Sequence, residues 1–173
     1  MKLTLKEAVI FGMLGAVMYA SKLLTELLPN IHLIGIFILA ITVVYRKKAL
    51  YPIYVFVMLA GLLNGFGMWW IPYLYIWAVL WGAVMLLPKK LPPKAAPIIY
   101  AVVCSLHGFL YGVIYAPAQA LMYNLSFDGM VAWIVAGLPY DAIHGVSNFI
   151  GGLVLVVPLI SILKFAERTA KRT

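Results

Sequence analysis

Long apolar runs, broken by short polar stretches, divide this chain. The runs cover residues 5–28, 32–45, 49–65, 72–87, 97–115 and 140–164. A helix needs roughly 17–25 mainly apolar residues to cross a bilayer, and the runs predict six membrane-spanning helices. Pro29 and Asn30 end the first, and the Arg46 cluster ends the second. Gly65 and Gly67 loosen the end of the third, and Pro72 suits the first turn of the fourth. Residues 88–94, PKKLPPK, read as a rigid, positive turn. The apolar stretch 130–138 is too short for an ordinary span. Residues 116–139 are therefore expected to form an interfacial or re-entrant element on the outer face, where irregular backbone is tolerated if protein or a watery cavity covers it. The expected fold is an all-α membrane protein with a single transmembrane domain over 1–173.

The charges orient these runs. All but one of the 13 Lys and Arg residues fall in four clusters: Lys2 and Lys6; Arg46, Lys47 and Lys48; Lys89, Lys90 and Lys94; and Lys164, Arg168, Lys171 and Arg172. Only Lys22 stands apart. Cationic loops stay on the cytoplasmic side, so both termini are expected inside. The acids Glu7 and Glu167 then lie inside, and Glu26, Asp128 and Asp141 outside. A seventh crossing would put the basic tail outside, against the charge rule.

Composition agrees. The chain is 65% hydrophobic and 10% charged, where soluble domains are about 45–50% apolar and about 25% charged. The net charge of +8 does not point to nucleic acid, because no basic stripe interleaves with exposed aromatics. Membrane lipid explains the cations more simply. The single cysteine, Cys104, excludes an intrachain disulfide and a Cys-rich metal site, and no metal or cofactor is expected. The apolar run continuing past Ala20 does not read as a cleaved signal peptide. No internal repeat points to the matched halves of a secondary transporter.

Polar chemistry gathers toward the expected outer ends of the spans. Asn64, Trp69, Trp70, Tyr73, Tyr111, Tyr115 and Gln119 mix rings with amides, as sites for small polar organic molecules do. Asp141, His144 and Asn148 follow at i, i+3 and i+7, on one helix face. That stripe either meets a substrate or clamps helices together, with Asp141 capping the start of its helix. His107, Tyr111 and Tyr115 share another face, with Gly108, Gly112 and Ala116 as an adjacent small-residue stripe that lets a neighbouring span pack closely. His107 reads as a packing residue or a ligand contact. Lys22 and Glu26 read as an i, i+4 ion pair. Gly12, Ala16 and Ala20 form a small-residue ridge on the first span, fit for internal packing or for a protein partner. There is no GxxxxGK[ST] sequence for ATP hydrolysis and no HExxH.

With these features the whole chain resembles a substrate-specific S component of an energy-coupling factor (ECF) transporter. The closest likeness is Gly137-Leu138-Pro139-Tyr140-Asp141-Ala142-Ile143-His144-Gly145-Val146-Ser147-Asn148-Phe149. It is similar to a Gly-x-Pro-Phe-Asp-x-x-His-x-x-x-Asn pattern at the start of the family's last span, with Tyr140 in place of Phe. The resemblance implies a multi-pass plasma-membrane protein of a prokaryote that captures a vitamin or related micronutrient from outside. It also implies docking on a transmembrane coupling subunit that carries two cytoplasmic ATPases, through Ala16 and Ala20 with Gly12 before them. ATP hydrolysis would then belong to the partners. Segments 29–32, 64–72 and 116–139 would cover the ligand. Two other readings stand beside it: an intramembrane enzyme using Asp141 and His144 on a lipid-linked substrate, and a ligand-free scaffold subunit.

Overall fold

The computed structural model describes residues 3–28 and 30–172, the last three by backbone alone. Lys2, Pro29 and the side chains of Lys171 and Arg172, used above as basic flanks and a span end, lie outside the described residues. Those residues form helices and turns, with no strand.

Helix α1 (Leu5–Leu24) opens on a capping box: Glu7 N–H donates to the Thr4 hydroxyl, and Thr4 N–H donates to the Glu7 carboxylate. It stops at Leu24, and residues 25–28 form turns rather than the helix expected there. Helix α2 (Ile34–Tyr45) ends where Arg46 adopts φ 51°. A 3-10 turn, Arg46–Ala49, feeds α3 (Leu50–Asn64). Gly65, at φ 86°, ends α3 in a conformation that favours glycine. A second 3-10 turn, Met68–Trp70, leads into α4 (Tyr73–Leu86). Helices α5 (Ala96–Phe109) and α6 (Tyr111–Tyr123) meet at Leu110 without a loop. Asn124, left-handed at φ 52° and ψ 44°, closes α6. The hydroxyl of Ser126 then accepts from Gly129 N–H at the head of α7 (Phe127–Arg172).

This corrects the expectation for residues 116–139. Their backbone is not irregular: all but the turn at Asn124–Ser126 is helical, completing α6 and opening α7. At about 1.5 Å per residue the 46 residues of α7 span about 70 Å, over twice the ~30 Å apolar thickness of a bilayer. Pro139 and Pro158 both lie inside it. A helix interior tolerates proline where packing offsets the lost hydrogen bond, so Pro139 marks no boundary.

Close backbone approaches hold the bundle. A Cβ on Gly108 would stand 2.9 Å from the backbone of Gly145, and one on Gly152 would stand 2.7 Å from Ala101 Cα. Helix α7 thus lies directly along α5, and Ser105 donates across the crossing to the Gly145 carbonyl (2.9 Å). Gly15 brings α1 onto Val55 of α3. Most of α2 is buried, which marks it as the central helix and explains how so short a helix is uniformly apolar.

Basic residues gather at one end. Lys48 pairs with Glu7, and the Arg46 guanidinium donates to the Met85 carbonyl (2.9 Å). Thr4, Lys6, Glu7, Tyr45 and Glu167 line one cavity. Among the described residues, four helical stretches are long and apolar enough to cross a membrane: Leu5–Leu24, Met68–Leu86, Ala96–Tyr123 and Phe127–Thr169.

Candidate ligand-binding site

The ends of α1 and α3, the Met68–Trp70 turn, the start of α4 and the start of α6 enclose a cavity of about 300 Å³. Lys22, Asn64, Trp69, Tyr73, Tyr111 and Tyr115 line it. Each wall residue is held by a partner. Tyr19 donates to Asn64 Oδ1 at 2.7 Å, fixing the amide. Trp69 meets Tyr73 edge-on, with centroids 5.4 Å apart, and its carbonyl accepts from the Tyr115 hydroxyl at 3.4 Å. Tyr115 stacks on Trp133 at 5.6 Å. Such edge-on and stacked pairs favour fixed ring orientations. The wall therefore offers flat apolar surface, one amide and a single ammonium group.

Tyr111 also belongs to a circle of rings. Centroid separations run His32–His144 4.5 Å, His144–Tyr111 5.1 Å, Tyr111–His107 6.2 Å, His107–Trp77 5.9 Å and Trp77–His32 6.1 Å. All three histidines of the chain stand in it. His32 Nδ1, His107 Nδ1, His144 Nε2 and Trp77 Nε1 are buried without a hydrogen bond to protein, as is Asn148 Oδ1. Each such group costs about 1–3 kcal/mol when left unsatisfied, so a cluster of them marks a place where bound water or a ligand supplies partners. His107 Nε2 lies 3.1 Å from the Ile76 carbonyl, which can only accept. Nε2 therefore carries the proton, and Nδ1 presents a bare lone pair. Among the described residues no three acidic, thiol or imidazole groups are placed to share a metal ion.

The residues singled out from sequence divide. Asn64, Trp69, Tyr73, Tyr111 and Tyr115 come together in the cavity wall. Trp70 does not: its Nε1 donates to the Val57 carbonyl (2.8 Å) and its ring packs on Phe66. Gln119 sits half-buried one turn beyond Tyr115, outside the lining. His144 reaches the circle of rings, while Asn148 Nδ2 donates to the Cys104 carbonyl at 3.3 Å. Asp141 is 7% exposed and accepts from Gly112 N–H at 3.0 Å. It lies deep inside α7, so it does not cap its own helix; it caps the first turn of α6 from across the interface. No hydrogen bond or ion pair joins it to His144 among the described residues.

Sequence reasoning missed three contributors. Lys22 was assigned to Glu26, and that pair is present at 3.9 Å, yet Lys22 also lines the cavity. His32 is one of the polar residues at the expected outer ends, but no spacing joins it to the others, and Trp77 stands inside an apolar run. The one available signal was the isolation of Lys22 from the other cations.

The protein-family models, curated proteins and solved structures compared with this chain include no match.

On α1, the ridge alternatives separate. Ala16 and Ala20 are exposed, and a Cβ on Gly12 would meet nothing within 4 Å. Internal packing falls instead to Gly15, where a Cβ would stand 2.4 Å from Val55 Cγ1. The ridge faces out of the bundle.

Proposed function

We propose that this chain is the substrate-binding S component of an ECF-type transporter, a receptor for a vitamin-like small organic nutrient. One observation carries the reading: an aromatic cavity with one amide and one ammonium group, adjoined by buried polar atoms that lack protein partners. Pockets of this kind, apolar with a few placed polar groups, suit small organic ligands. In this reading the chain crosses the plasma membrane six times, with both termini and the basic clusters in the cytoplasm and the cavity toward the medium. ATP hydrolysis belongs to two cytoplasmic partner subunits, reached through a transmembrane coupling subunit.

The outward ridge of Gly12, Ala16 and Ala20 supports that partnership, because small residues let a second helix approach to backbone contact in lipid. Co-expressed with a coupling subunit and its ATPases, the wild-type chain is expected to co-purify with them. Ala16→Trp and Ala20→Trp are expected to abolish that recovery while leaving the melting temperature of the isolated chain unchanged. Undiminished assembly in both variants would sink the docking assignment. The enzyme reading has less support, since the Asp141 carboxylate is engaged by Gly112 rather than by His144.

A further inference from the structure

A second cavity, of about 510 Å³, lies among the basic clusters. Lys89 and Lys90 from the α4–α5 loop and Lys164 from α7 stand around it. These come from two clusters far apart in sequence that the fold brings to one opening. Among the described residues Glu167 is the only acid in the lining.

Beyond these charges, Ser161 and the Tyr100 hydroxyl, the wall is apolar. Val43 and Val44 close α2 there, and Val157 and Ile160 come from the two turns of α7 before Lys164. Val157 is 37% exposed and its neighbour Val154 is 62% exposed, so the apolar wall continues onto the outer side of α7. Helix α5 begins at Ala96 in the same wall, adding the positive end of its dipole.

We propose that this cavity is a binding site for an anionic phospholipid. The phosphate takes N–H donors from Lys89, Lys90 and Lys164, and an acyl chain lies along Val43, Val44, Val157 and Ile160. Free phosphate or a phosphorylated metabolite would use the lysines but would gain nothing from an apolar wall open to the side of the helix. Basic pockets between membrane helices recognise acidic headgroups in this way. The inference is independent of the nutrient-receptor reading, because it involves the other end of the molecule and needs no ligand in the aromatic cavity.

The test is native mass spectrometry of the full chain in detergent, titrated with phosphatidylglycerol or with phosphatidylcholine of the same acyl chains. The wild type is expected to prefer phosphatidylglycerol by about tenfold or more. The combined variant Lys89→Gln, Lys90→Gln, Lys164→Gln is expected to bring the two lipids to near parity. A charge-matched control, Lys47→Gln with Lys94→Gln and Arg168→Gln, is expected to keep the preference. If the triple variant melts below the wild type without added lipid, Lys164→Gln alone decides, with an expected loss of about threefold. A preference retained in the site variants overturns the proposal. So does an equal loss in the control, which would mean diffuse surface attraction. Displacement of the lipid by millimolar inorganic phosphate would assign the lysines to a small soluble anion instead.

Discussion

The carboxylate of Asp141 accepts a backbone N–H from another helix, and that bond ties α7 to the first turn of α6. Removing the acceptor leaves Gly112 N–H buried and unpaired, a cost of about 1–3 kcal/mol. Asp141→Ala is therefore expected to lower the melting temperature in detergent, and Asp141→Asn, which keeps an acceptor oxygen, to lower it less. Equal melting of Asp141→Ala and wild type would remove the clamp from the account. The stripe Asp141, His144 and Asn148 was legible from spacing alone, because i, i+3 and i+7 define a helix face. Its three different partners were not, since Gly112, His32 and Cys104 reach it only through tertiary crossings. Trp69 and Trp70 show the same limit. They are adjacent in sequence, but the short 3-10 turn sends one ring to the cavity and the other to Val57.

Between elements, glycines separate crossings from free surface. Gly108 meets the backbone of Gly145, which cannot rotate away as a flexible side chain can, while Gly12 meets nothing. Gly108→Ala is expected to destabilise by about 1–3 kcal/mol through overpacking. Gly12→Ala is expected to be neutral or to stabilise by up to about 1 kcal/mol through helix propensity. Thermal melts of the two variants side by side check this, and a Gly108→Ala protein as stable as Gly12→Ala would contradict the close α5–α7 crossing. The small-residue stripe Gly108, Gly112 and Ala116 already pointed to a close neighbour. What the apolar pattern concealed was the length of α7. Pro158 sat inside an apolar run and read as helix interior, whereas Pro139 sat between a short run and a polar stripe and read as a boundary. The short run 130–138 and the polar stripe from Asp141 share one continuous helix, and hydropathy alone does not show that they join.

Across the whole molecule, the two ends differ in chemistry. Lys48 with Glu7, Arg46 with Met85, and the cavity of Lys89, Lys90 and Lys164 crowd one end. The aromatic cavity carries only Lys22. This separation was legible because charge clusters recur at alternate breaks between the apolar runs. Cys104 is fully buried, so introduced cysteines report sidedness without background. A membrane-impermeant maleimide on intact cells is expected to label Phe127→Cys and to spare Lys90→Cys, with the reverse in inverted vesicles. Labelling of Lys90→Cys from outside would invert the proposed orientation. The most direct measurement concerns the aromatic cavity itself. Chain purified gently from its native host is denatured, and the small molecules released are identified by mass spectrometry beside those from Trp69→Ala and Trp70→Ala. One organic compound at near-stoichiometric yield from wild type and Trp70→Ala, but lost from a folded Trp69→Ala, is the predicted result. Equal recovery from wild type and folded Trp69→Ala, or no compound from any of them, would contradict a nutrient receptor built on this site.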